Sequence, residues 1–287
     1  VLMAGFFNLM GGLTGTAVAL MIGKGIVDPA VLSQLTVIAA LAGAMSWSLF
    51  TYRYGIPVSE THGLIGGVVG AALATAGMGP IRWGGLNKVL VAIVVSPLLG
   101  AIGGLLLIAA VYWGFRHSRR SAVMPLFKHL QRLSAAYMAF SHGRNDAQKP
   151  MGILAMALAL HYGWKDVTVP LWVILSCAFL AALGMTYGGW RIIKTLGMKV
   201  THLDPVQGFA AEVSAATVLE LASTLGIPIS TTHAITSAIL GVGASKNPSA
   251  VRWGVTVEIV SSWVLTLPAT VFLGWLYTNL LRNLIGG

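Results

Sequence analysis

Apolar residues come in long blocks separated by short polar ones, running approximately over 1–23, 31–52, 58–77, 86–114, 133–162, 167–188, 205–225, 228–244 and 254–281. Runs such as Val89 to Trp113, Val167 to Met185 and Val255 to Leu281 reach the ~20 residues needed to cross a bilayer as a helix. Lipid admits only helices or closed barrels, because no water is there to satisfy backbone groups. The period-2 alternation of a barrel is absent, so the pattern predicts an all-α polytopic membrane protein. The blocks are joined at Asp28-Pro29, Met78-Gly79-Pro80, Asp204-Pro205 and Lys246-Asn247-Pro248. Blocks 58–77 and 228–244 are barely long enough to span and are expected to be broken or half-length helices. Their Gly and Ser content lets neighbouring helices come close.

The pattern repeats. Gly55-Ile56-Pro57-Val58-Ser59-Glu60-Thr61-His62 returns as Gly226-Ile227-Pro228-Ile229-Ser230-Thr231-Thr232-His233, and each copy opens an apolar block with a glycine at a matching place, Gly70 and Gly241. Arg82-Trp83-Gly84 matches Arg252-Trp253-Gly254, and Pro97 matches Pro268 with one residue of slippage. These matches divide the chain into a first transmembrane repeat, 1–115, a basic cytoplasmic loop, 116–132, and a second transmembrane repeat, 133–287. Two homologous halves suit a transporter with one shared central site. Whether they are inverted depends on the number of spans in each half, which the blocks alone leave open.

Composition supports the membrane reading. Of 287 residues 56% are hydrophobic and 9% charged, with mean hydropathy +0.81, against roughly 25% charged in soluble domains. The net charge of +10 would suggest nucleic acid in a soluble protein. Here Arg116, Arg119, Arg120, Lys128 and Arg132 cluster between apolar blocks, as in a cytoplasmic loop under the positive-inside rule. The expected surroundings are the bilayer of the plasma membrane. Cys177 is alone in an apolar run, so a disulfide within the chain is excluded. The first block starts at Val1 with no charged region ahead of it, which leads to the expectation that native residues precede it.

Eight acids occur in the chain. Asp28, Asp166 and Asp204 read as loop residues. Glu60, Asp146, Glu212, Glu220 and Glu258 lie within or beside apolar blocks, where an ionised side chain costs ~2.5–3.5 kcal/mol on insertion scales. Each is a candidate for a coupling cation or proton, or for a structural ion pair. The stretch Ser141-His142-Gly143-Arg144-Asn145-Asp146-Ala147-Gln148-Lys149-Pro150-Met151-Gly152 places a polar run between Gly143 and Pro150 inside a hydrophobic block. A helix broken there frees carbonyls that, with Asn145 and Asp146 oxygens, suit a hard cation such as Na⁺. Arg144 and Lys149 either counter the acid or attract an anion.

In the repeated motif, Pro precedes hydroxyls at a helix start. Unpaired N–H groups and Ser/Thr hydroxyls there form an anion cradle at the positive end of the helix dipole. Ser59 and Thr61 from one half, with Ser230, Thr231 and Thr232 from the other, are placed to surround one tetrahedral oxyanion, ordinary helix capping being the alternative. His62 and His233 relay protons, bind metal or hydrogen-bond a neighbouring helix. No second ligand sits at metal spacing beside either. Hydrolysis by Ser59/His62 or Ser230/His233 lacks the glycine-framed nucleophile turn, so no enzyme activity, resident metal or cofactor is expected.

Together these residues resemble the inorganic phosphate transporter family. The matching runs are His142-Gly143-Arg144-Asn145-Asp146-Ala147-Gln148-Lys149 with Met151-Gly152, Gly208-Phe209-Ala210-Ala211-Glu212, the second copy of the repeated motif, and Trp263-Val264-Leu265-Thr266-Leu267-Pro268. The resemblance implies an inverted-repeat helical fold and import of phosphate, free or metal-complexed, by symport with Na⁺ or H⁺. It implies phosphate contacts from Ser59, Thr61, Ser230, Thr231 and Thr232, with Asn145 and Asp146 nearby; Asn145 and Gln148 are counted among the expected phosphate contacts, and Asp146, Glu60 and Glu212 are the candidates for the coupling cation or proton. A transporter or channel for another small oxyanion, or a transport-impaired paralogue, remains as the alternative. Small-residue helix faces make a homodimer an open possibility.

The first half departs from the family pattern. An Asn-Asp pair is expected in its first helix, where the chain reads Gly5-Phe6-Phe7-Asn8-Leu9-Met10-Gly11-Gly12-Leu13-Thr14-Gly15 and has no acid before Asp28. Glu60 stands where the other copy has Thr231. The expectation is that Glu60 replaces the missing acid, making the site asymmetric.

Overall fold

Turn chemistry sets the helix boundaries. Gly55 and Gly226 end their helices with φ of +68° and +66°, a left-handed conformation that favours glycine. Four residues later Ser59 and Ser230 accept hydrogen bonds from the backbone N–H of His62 (3.2 Å) and His233 (3.1 Å). Each serine thereby caps a new helix. The computed structural model describes residues 1–245 and 248–285, so Lys246 and Asn247 of the last expected connection lie outside the described residues. The helices are α1 (Leu2–Gly12), α2 (Ala17–Leu20, extended by the wide turn Met21–Gly25), α3 (Gln34–Tyr54), α4 (Glu60–Ala76), α5 (Trp83–Gly114), α6 (Arg120–Asp146), α7 (Gln148–Tyr162), α8 (Leu171–Tyr187), α9 (Trp190–Lys194, extended by the wide turn Thr195–Val200), α10 (Pro205–Thr224), α11 (Thr231–Ala244) and α12 (Trp253–Ile285). Among the described residues the one extended pairing is an isolated bridge between Val27 and Ile81.

By length and hydropathy α3, α5 and α12 can each cross a membrane alone. Two further pairs pass together but are bent, α1 with α2 by 65° and α8 with α9 by 57°. Helix α4 has 17 residues and α11 has 14. At 1.5 Å per residue both fall short of the ~30 Å hydrocarbon core, as expected for half-length elements.

The elements recur in one order. A bent pair ending in a wide turn, then a long helix, a capped short helix and a Pro-containing long helix appear as α1–α5 and again as α8–α12. Matching hydrogen bonds close each series: Arg82 N–H to Ile26 O at 2.9 Å, and Arg252 N–H to Val200 O at 3.0 Å. The matched part of the second series runs from Leu171 to Ile285, and α6–α7 precedes it without a counterpart in 1–115. This corrects the alignment of the first helix with Asn145-Asp146. Its counterpart is α8, which carries no acid either, so α1 has not lost one.

Residues 116–132 are also not mainly a loop. Helix α6 starts at Arg120 and turns Val123, Met124, Phe127 and Leu130 onto the core. That 3–4 spacing builds one apolar face, while Arg120, Lys128 and Arg132 stay exposed. The charge hid the face.

The two series interlock. Helix α4 packs on α12 and α3, while α11 packs on α5 and α10. A Cβ at Gly70 would lie 1.9 Å from Val271 O, and one at Gly241 would lie 2.1 Å from Ala101 O. Only glycine allows those backbones to approach so closely. Outward faces remain apolar, with Val91, Val94, Leu98, Ile102 and Leu106 of α5 exposed at helical spacing, which suits a lipid-facing surface.

Candidate functional site

The starts of α4 and α11 meet. Thr61 Oγ1 donates to Ile229 O at 2.9 Å, tying the first helix start to the second motif. The rings of His62 and His233 lie edge to face with centroids 4.8 Å apart. His233 stacks on Trp263 at 3.9 Å, and Trp263 Nε1 donates to Pro57 O at 3.1 Å. Each helix presents its first backbone N–H groups, which have no intrahelical partner, and the Ser59 and Ser230 hydroxyls lie beside them. The duplication thus folds into one paired structure. The histidines are packed in its centre with no metal-type arrangement among the described residues.

A third element reaches this pair through Asp146. Pro150 lacks an N–H and its ring opposes the carbonyl four residues back, so α6 ends at Asp146 and α7 starts at Gln148. Asp146 Oδ2 accepts from Thr231 Oγ1 at 3.1 Å and lies 3.1 Å from His142 Nε2. Asp146 Oδ1 accepts from Lys149 Nζ at 2.5 Å. Asp146, Lys149, Glu60 and Ser48 face a cavity of about 340 Å³ walled by Leu41, Met45, Leu64 and Pro150. Glu60 Oε2 accepts from Ser48 Oγ at 2.6 Å. Glu60 and Asp146 thus share one cavity beside the two helix starts. Half-buried Thr232 follows Thr231 in the first turn of α11.

Other expected site residues serve elsewhere. Gln148 Oε1 accepts from the backbone N–H of Val18 (2.9 Å) and Ala19 (3.3 Å), and its Nε2 donates to Arg144 O at 2.7 Å. In this structure both ends of the amide hold α2 and the helix break. Asn145 is fully buried and donates to Ser223 Oγ at 3.1 Å, so it braces the Asp146 turn against α10. Glu212 accepts from Ser134 Oγ at 2.5 Å. Ser134 lies about twelve residues before Asp146 on α6, or ~18 Å of helix, so Glu212 stands apart from the cavity. Its own opening is lined by Lys128, Gln131 and Arg132. Glu220 pairs with Arg144, and Glu258 is exposed on the first turns of α12. The loop acids behave as expected: Asp28 pairs with Arg82, Asp166 with Lys24, and Asp204 caps α10. Ser48 carried no sequence signal, because nothing in α3 repeats or breaks the apolar pattern at that position.

Comparison with known proteins follows the same lines. The model of the phosphate transporter family matches residues 1–125 and again 115–274. A probable low-affinity inorganic phosphate transporter of Rhizobium meliloti is 47% identical over 275 residues, covering 95% of this chain and 82% of the relative. The like-named protein of Bacillus subtilis is 40% identical, covering 96% and 83%. A solved structure described as the sodium-dependent phosphate transporter superposes with a TM-score of 0.87 at 27% identity, covering 98% of this chain and 89% of that one. With a fold of membrane-spanning helices and a site at two facing helix starts, the chain belongs to the phosphate transporter family, as a multi-pass protein of the plasma membrane rather than an enzyme.

Proposed function

We propose that the chain imports inorganic phosphate, free or metal-complexed, by symport with Na⁺ or H⁺. The observation that carries this reading is the meeting of α4 and α11, joined by Thr61 to Ile229 O and linked to Asp146 through Thr231. Phosphate is held between the two helix starts by their first N–H groups and the hydroxyls of Ser59, Thr61, Ser230, Thr231 and Thr232, with Thr61 and Thr231 turning from Ile229 O and Asp146 toward the anion. Neutral donors at the positive ends of two dipoles bind an anion without locking it in place, which suits a carrier that must release it. The coupling cation acts at Glu60 and Asp146, which face the adjoining cavity. The recurring series α1–α5 and α8–α12 are read as inverted repeats that rock about this junction. The solved relative, described as sodium-dependent, supports a cation-coupled cycle.

Reconstituted protein tests the proposal. Radiolabelled phosphate uptake is measured in proteoliposomes under separately imposed Na⁺ and pH gradients. Uphill accumulation under one of them is expected, and its loss in Glu60→Gln and Asp146→Asn. Uptake that only equilibrates, under either gradient, would indicate a facilitator and reject symport.

A further inference from the structure

The acids within the helical body differ in what faces them. Asp146 and Glu220 are met by cations of the chain itself, Lys149 and Arg144. Glu60 and Glu212 are met by serine hydroxyls, those of Ser48 and Ser134. The difference matters most at Asp146. Lys149 is 4% exposed and sits in the first turn of α7, directly past the break that also positions Asp146. Its ammonium is 2.5 Å from Oδ1, while Thr231 and His142 are both 3.1 Å from Oδ2. A carboxylate offers about four lone-pair sites, so three are already used. An alkali ion needs several oxygens turned toward it and no cation beside it. A buried ammonium that lost Asp146 would itself be left unpaired at high cost, so it does not yield the place readily. Glu60, across the cavity, is open but contributes one carboxylate and one hydroxyl neighbour, in a space otherwise walled by apolar side chains and Lys149.

We propose that Lys149 determines the cation requirement: its ammonium is a tethered cation standing on Asp146 where Na⁺ would otherwise bind, so uptake by this chain proceeds without Na⁺. The inference rests on the reading of the chain as a phosphate symporter, and narrows its coupling. It also separates this chain from its solved relative described as sodium-dependent, despite the shared fold.

The test uses wild type, Lys149→Asn and Lys149→Arg. Phosphate uptake in proteoliposomes and the Tm of purified protein are compared in NaCl and in choline chloride. Wild type and Lys149→Arg, which keep a cation at this place, are expected to respond equally to the two salts. Lys149→Asn is expected to gain about fivefold or greater stimulation of uptake by Na⁺, the lower range of ordinary coupling between sites. If this variant does not transport, a Tm raised by NaCl and not by choline supports the same conclusion. Na⁺-stimulated uptake or Na⁺-raised Tm in wild type overturns the proposal, whether or not the variants fold. A folded Lys149→Asn protein indifferent to Na⁺ in both measurements overturns it as well. Absence of phosphate uptake by wild type under every gradient rejects the symport reading instead, and the Tm comparison then decides the role of Lys149.

Discussion

Asp166 and Asp146 show how surroundings assign different tasks to one residue type. Asp166 lies in the α7–α8 connection, where Lys24 Nζ donates to its two oxygens at 2.7 and 2.8 Å. These bonds, and secondarily the Val167 N–H, hold its carboxyl below the ordinary carboxylate range. A depressed folded-state pKa contributes stability above the unfolded value and loses it as pH falls through the folded value. Asp166→Asn is therefore expected to lower Tm slightly at neutral pH, with the difference vanishing in acid. The effect is small because the pair is exposed; a gap that widens on acidification would contradict the assignment. Asp146, in contrast, is bound by groups from α6, α7 and α11. Its candidacy was legible from a polar run inside an apolar block. The task of Gln148 in the same run was not, because the α2 backbone it caps lies 130 residues earlier in the chain.

At the scale of the element, packing of short helices on long ones depends on glycine. Gly70→Ala would drive a methyl into Val271 O and is expected to cost about 1–3 kcal/mol, as overpacking does. Gly254 has nothing within 4 Å of where an added methyl would sit, and is expected to accept alanine within about 0.5 kcal/mol. Thermal unfolding in detergent measures both; equal Tm values would contradict the close approach of α4 and α12. The match of Gly70 with Gly241 was readable because the two repeats need the same close contact. Helix α6 was not readable as a helix from its start, because its basic side chains outweigh a narrow apolar face. The break at Ala147 was readable to within a few residues, since Pro150 removes a specific hydrogen bond and Gly143 does not.

Over the whole molecule, the halves do not form separate bodies. Helix α4 lies on α12 and α11 lies on α5, so each short helix is held by the opposite series and its start is carried to the centre. That interlocking brings the two copies of the motif together. The sequence showed the duplication at the short helices, but not the match between the bent pairs α1–α2 and α8–α9. Those bends are defined by backbone direction and leave little mark on composition. The two helix starts differ, with Asp146 on Thr231 at one and Glu60 opening α4 at the other.

The most direct test of phosphate binding between the two helix starts is the KM for radiolabelled phosphate uptake in the double variant Ser59→Ala/Ser230→Ala, measured on protein whose thermal unfolding shows it to be folded. Each hydroxyl donates to a charged ligand at about 1.5–3 kcal/mol, so the account predicts a KM raised more than tenfold with the cation requirement unchanged. A folded double variant with the wild-type KM would contradict it.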